Sequence, residues 1–66
     1  MARHQYAPHE MIEVHEVLTL KTSALAKGYV MYDAAVNEEL KELLQEGIDE
    51  GENAVKELQQ LISQSN

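Results

Sequence analysis

The 66-residue sequence predicts an all-α fold: an antiparallel helical hairpin that dimerises into a four-helix bundle. Three observations carry that reading. Apolar residues recur at steps of three, four and seven along two stretches that meet near Asn37, the spacing of one face of an α-helix. The first stretch is apolar on more than one side, so a single neighbouring helix cannot cover it. The chain is also short and has no cysteine. Chains below about 70 to 80 residues rarely build a sufficient core alone, and without disulfides they turn to oligomerisation or a metal.

Taken in order, residues 1–7 hold Arg3, His4, Gln5 and Tyr6 without periodicity and read as a flexible arm. Pro8 suits the first turn of a helix, where its missing N–H has no partner to lose. From there Met11, Val14, Leu18, Leu25, Tyr29, Tyr32 and Val36 stay on one side, with Thr22 filling the gap, and define a helix over 8–35. The stripe runs through Gly28, which is read as internal at a cost near 1 kcal/mol relative to alanine. A competing reading ends the helix at Gly28 and restarts it at Asp33. The turn falls at 36–37, where the Asn37 side chain can accept from the free N–H groups of the next helix. Glu38 and Glu39 then place negative charge at the favourable end of the helix dipole. The second helix, 38–62, gathers its apolar residues from Leu40 to Ile62 on one face, and 63–66 form a frayed polar tail. At about 1.5 Å per residue both helices are near 40 Å long, and a short turn makes them antiparallel.

One seam cannot bury everything in this hairpin. Val17, Leu20, Ala24 and Met31 form a second apolar strip on the first helix, and Ile12 and Val30 lie on yet another side. Uncovered strips of that kind mark an interface, and a homodimer is the simplest closed arrangement. The expected interface is Val17, Leu20, Ala24 and Met31 with Leu44, Gly47, Gly51 and Leu58. Gly47 and Gly51 give local room there, either for a bulky group such as Met31 or a tyrosine of the partner, or for close contact across Thr22 and Ala26.

Charge narrows the partners. Twelve acidic residues against five basic ones leave a net charge of −7, and the basic residues are scattered singly. No basic stripe is available for phosphates, so neither nucleic acid nor an anionic membrane is an expected partner. No apolar run approaches the roughly 20 residues of a membrane span. The first residues lack the apolar stretch of a signal peptide, so the expectation is a soluble protein made in the cytoplasm.

The candidate chemistry is thin. His9-Glu10-Met11-Ile12-Glu13 begins like the His-Glu-x-x-His zinc signature, but its fifth residue is glutamate, so the second ligand one turn on is missing. A di-iron bundle needs Glu-x-x-His pairs facing inward, and no glutamate here is followed three residues later by histidine. His9, Glu13 and Glu16, with His15 nearby, remain weak candidates for a surface metal site completed by a symmetry mate. An acidic face near a helix N-terminus, stabilised by the dipole, is the favoured reading of the same residues. His15 reads as a packed interfacial histidine. No serine or threonine has a histidine and carboxylate arranged around it, so no catalytic residue and no cofactor is expected.

Two segments together carry a resemblance. His9-Glu10-Met11-Ile12-Glu13-Val14-His15-Glu16-Val17-Leu18, continuing through Leu20-Lys21-Thr22, resembles the opening helix of the spore coat protein F (coat F) family. Asn37-Glu38-Glu39-Leu40-Lys41-Glu42-Leu43-Leu44-Gln45 and the later Glu57-Leu58-Gln59-Gln60-Leu61 resemble its second helix, with Asn37 where an aspartate is usual. The resemblance covers about residues 9–62. It implies a ferritin-like bundle made in the mother cell and deposited in the spore coat. It further implies a structural role without enzymatic activity, with other coat proteins as possible partners. A small metal-binding module and a hairpin that completes its bundle with a different protein are the competing readings. Tyr6 and the glutamines Gln5, Gln59, Gln60 and Gln64, near the ends of the chain, are candidates for cross-links in such a layer.

Overall fold

A computed structural model describes residues 6–65. Two helices make up the described chain, α1 (Pro8–Ala34) and α2 (Glu38–Ser65), packed against each other as a hairpin. Residues 1–5 of the expected arm, and Asn66, lie outside the described residues. α2 continues three residues past the expected end at 62, so 63–65 are helical rather than a frayed tail. α1 stops one residue before its expected end at 35.

The local chemistry of each end accounts for these boundaries. Pro8 occupies the first helical position, and Ala7 before it is extended. Ala7 has no side-chain acceptor, so its carbonyl takes the Glu10 and Met11 N–H groups instead. The Glu10 carboxylate reaches back to accept the Ala7 N–H at 2.8 Å, which is half of a capping box. At the other end Ala35 turns extended, and its N–H donates to the Met31 and Tyr32 carbonyls. Asn37 then caps α2: its side-chain oxygen accepts the Leu40 N–H at 2.9 Å. No residue of the connection needs a positive φ, so the chain reverses without a glycine.

Gly28 lies inside α1, as its place on the apolar stripe requires. The competing break-and-restart reading fails because the helix is continuous from Pro8 to Ala34. Gly28 also does something that a sum of helix propensities does not show. A Cβ placed there would stand 3.3 Å from Ile48 Cγ1, so this is where the two helices approach closely. Ile48, at 6% exposure, is the one buried apolar residue of the described chain. Along the rest of the seam Met11, Val14, Leu18, Leu25 and Tyr32 of α1, and Leu44, Val55, Leu58 and Ile62 of α2, are half-buried. Two apolar residues of the stripe are exposed, Tyr29 at 43% and, far more so, Val36. Val36 follows the end of α1, leaves the helical line and stands 93% exposed.

The hairpin measures 46 × 23 × 12 Å. Its least dimension is that of one helix with its side chains, about 10–12 Å. The hairpin is therefore a single layer, and both of its broad faces are open.

Candidate protein-protein interface

The two broad faces differ in chemistry. On one, α1 presents Ala24, Leu25 and Gly28 and α2 presents Leu43, Leu44, Gly47, Ile48, Gly51 and Ala54. Together they line a groove of about 530 Å³, edged by Lys21 and Glu50. Helical spacing puts Val17, Leu20 and Met31 on the α1 side of this groove, one to two turns along from Ala24. All three are exposed. The groove arises because α2 carries small residues at Gly47, Gly51 and Ala54, whereas α1 has its larger side chains along the rim.

On the opposite face the helices are joined by polar contacts. The Tyr29 hydroxyl donates to Glu52 Oε2 at 2.6 Å. That bond to a carboxylate, reinforced by desolvation and by the negative charge itself, raises the Tyr29 pKa above its ordinary 10.0. Nearer the turn, Lys41 Nζ lies 5.7 Å from the centre of the Tyr32 ring, within reach of a cation–π attraction. Tyr29 thus bonds across the seam through its hydroxyl, and Tyr32 is half-buried with Lys41 over its ring.

The expected interface residues fall into two groups. Ala24, Leu44 and Gly47 line the groove, while Val17, Leu20 and Met31 are exposed outside it, Val17 near Leu58 and Leu20 beside Ile12, Glu16 and Thr19. Gly47 is open: a Cβ built there would meet nothing within 4 Å. Gly51 serves the hairpin itself, since a Cβ there would come 3.2 Å from Leu25 Cδ1. Leu58 likewise meets α1, sharing a shallow depression with Val14 and Val17. The two glycines of the Gly-x-x-x-Gly pair therefore have different neighbours: Gly51 packs within the hairpin and Gly47 faces outward. Gly28 belongs beside them as a close-approach residue, and the signal for it was its place on the apolar stripe, opposite a β-branched residue.

The weak metal candidates do not come together. His9, Glu13, Glu16 and His15 are all exposed on α1. Among the described residues no three His, Asp or Glu side chains are grouped so as to hold a metal ion. His15 is not packed; its carbonyl accepts the Thr19 hydroxyl at 3.0 Å. Of the cross-linking candidates, Gln59, Gln60 and Gln64 line an open polar surface with Lys56 and Ser63, Tyr6 is half-buried beside Glu10 and Glu13, and Gln5 lies outside the described residues. No described helix is long and apolar enough to cross a membrane.

Comparison with known proteins gives two relatives. The chain is 32% identical over 53 residues to the spore coat protein F-like protein YraG of Bacillus subtilis (strain 168), an alignment covering 80% of this chain. It spans 65% of the length of that protein. It is also 32% identical over 59 residues to the uncharacterized protein YraE of the same organism, covering 89% of this chain and 91% of YraE. No family model matches the chain, and no solved structure matches it significantly.

Proposed function

We propose that this chain, a relative of YraE and of the spore coat protein F-like protein YraG of Bacillus subtilis, is a non-catalytic structural protein of the spore coat that self-associates. It is made in the mother cell and forms a homodimer through its apolar helix faces. Two hairpins closing on each other make a four-helix bundle of ferritin-like shape, without a metal centre. The acidic outer surface keeps the bundle soluble and offers a docking surface to other coat proteins.

One observation carries the reading: a single-layer hairpin, with one buried residue among those described, has an open apolar groove along one face. Burying apolar area is worth roughly 25 cal/mol per Å², and this chain leaves much of that stabilisation unused while alone. The accessible surface is 5326 Å² for a 7.5 kDa chain, against about 4,250 Å² for a compact monomer of that mass. The excess reflects the elongated, single-layer shape of the hairpin.

The test is mass in solution. Native mass spectrometry at micromolar concentration is expected to show two chains for the unaltered protein and one for Leu20→Glu, with helix content partly retained. A Leu20→Glu protein that stays dimeric would show the interface to be elsewhere. Extraction of mature spores tests the location, the expected result being recovery of the chain in the coat fraction.

A further inference from the structure

We infer that the two hairpins dock with their turns at the same end, α1 of each lying along α2 of the other. In that arrangement Met31 of one copy fills the space over the partner's Gly47, and Lys27 pairs with the partner's Glu50. The inference rests on the self-association proposed above and adds its geometry.

A face-to-face pair of hairpins has two symmetric solutions. A two-fold axis along the helices keeps the turns together and stacks α1 on the partner's α2. An axis across the helices sends the turns to opposite ends and stacks like on like. Three features of the groove choose between them.

The first is charge. α2 carries eight acidic residues and two lysines, and α1 carries four and two. Stacking α2 on α2 brings the more acidic helix, with Glu50 at the groove edge, alongside its own copy, whereas mixed stacking sets each α2 against the less acidic helix. Like charges brought together across an interface are unfavourable.

The second is size. Beyond Leu43 and Leu44 the groove side of α2 is small at Gly47 and Ala54, and that side of α1, small at Ala24 and Gly28, is large on either side of them at Leu20 and Met31. Like-on-like stacking would crowd the large residues and leave a gap over the small ones, and voids and overpacking both destabilise. Mixed stacking sets large against small.

The third is register. Gly28 lies level with Ile48, and Leu25 with Gly51. Stepping residue by residue along the antiparallel pair puts Met31 level with Gln45, between Leu43 and Gly47. It puts Leu20 level with Lys56, close to Ala54. An axis along the helices preserves these heights, so Met31 reaches the partner's Gly47, the position where a Cβ would meet nothing in its own hairpin. The same register sets Lys27 level with Asp49, adjacent to Glu50. Lys27 and Glu50 each lie on the side of the groove away from their own seam, so the two meet at the outer edge of the mixed stack.

The chain has no cysteine, so a single Val36→Cys substitution in the exposed turn takes one spin label per copy. Pulsed dipolar spectroscopy of the labelled dimer is expected to give a distance well under the 46 Å length of the hairpin. A distance near that length in a protein of dimeric mass would overturn the orientation and leave self-association standing. A monomeric mass at every concentration would overturn both. As a second reading of the same geometry, Lys27→Glu is expected to weaken dimerisation about fivefold, and adding Glu50→Lys to restore it. Failure of the double variant to recover would remove the pairing.

Discussion

α1 is the more apolar of the two helices and contains no buried residue; α2 is less apolar and contains Ile48, buried to 6% exposure. The difference lies in arrangement. α2 keeps Leu40 through Ile62 on one face and sets most of it against one neighbour, leaving Leu40 and Leu43 exposed. α1 spreads its apolar residues around the circumference, with Leu18 and Leu25 in the seam, Leu20 and Met31 at the groove and Ile12 and Val30 on the outer side. Total hydrophobicity therefore says little about which helix is satisfied by the hairpin; the angular spread decides it. A helix apolar on two sides needs two neighbours, and the hairpin supplies one.

The comparison breaks first at Ile48. If the seam is anchored there, Ile48→Ala should cost about 2–3 kcal/mol. In a hairpin with no other buried residue that is most of the folding free energy, read as loss of the helical circular dichroism signal on mild heating. A loss no greater than that of Val30→Ala would mean that α2 is held elsewhere. The next effect separates two sides of α1. Leu20 and Val30 are equally exposed in the hairpin, at 69% and 68%, but Leu20 faces the groove side and Val30 the outer side. Leu20→Glu should abolish the dimer, while Val30→Glu should leave it intact and shift stability by no more than about 0.5 kcal/mol. Equal effects on mass would dissolve the distinction between the two strips.

Much of this was legible in the sequence, for physical reasons that also set the limit. α2 is readable because one face serves one seam, so its period stands out. The Asn37 cap is readable because its chemistry is local: an oxygen acceptor, followed by two glutamates, ahead of an apolar run. The fate of α1's two inner strips was legible as a division but not as an assignment, since periodicity fixes the angle between strips and not which neighbour each one meets. Gly28 shows the same limit. Its cost in helix propensity can be read from the chain, but its use, admitting Ile48 at close range, depends on a residue twenty positions away. Val36 misled because it continues the spacing past the point where Ala35 leaves the helix.

Smaller tests concern the backbone. Asn37→Ala removes the acceptor for the Leu40 N–H and should cost about 1 kcal/mol, with Asn37→Asp close to neutral. The glycines sharpen the contrast between seam and groove, best measured in the monomeric Leu20→Glu background. Gly47→Ala should stabilise that hairpin by up to about 1 kcal/mol, because a methyl group there meets nothing and the helix propensity improves. Gly28→Ala receives the same propensity gain but presses on Ile48 Cγ1 at 3.3 Å, so it should melt below Gly47→Ala. The reverse order would place the close approach at the wrong glycine.

The smallest effect sits on the polar face, and pH separates it from the rest. Tyr29 donates to Glu52 across the helices, and chiefly through that bond its pKa is raised above 10.0. The neutral phenol makes the bond; the phenolate cannot donate and repels the carboxylate. A group whose folded pKa lies above its unfolded value lends stability that is fully present below the unfolded value and is lost as pH rises through the folded one. The small stabilisation of the unaltered protein over Tyr29→Phe should therefore hold across neutral and mildly alkaline pH. It should close only above pH 10.0, as Tyr29 ionises. Paired thermal melts of the two proteins through that range cancel the titration of the lysines, which both contain. A melting difference that persists unchanged into strong alkali would mean that the tyrosine acts through its ring against the seam and not through its hydroxyl. The polar face would then hold the hairpin by packing, as the opposite face does.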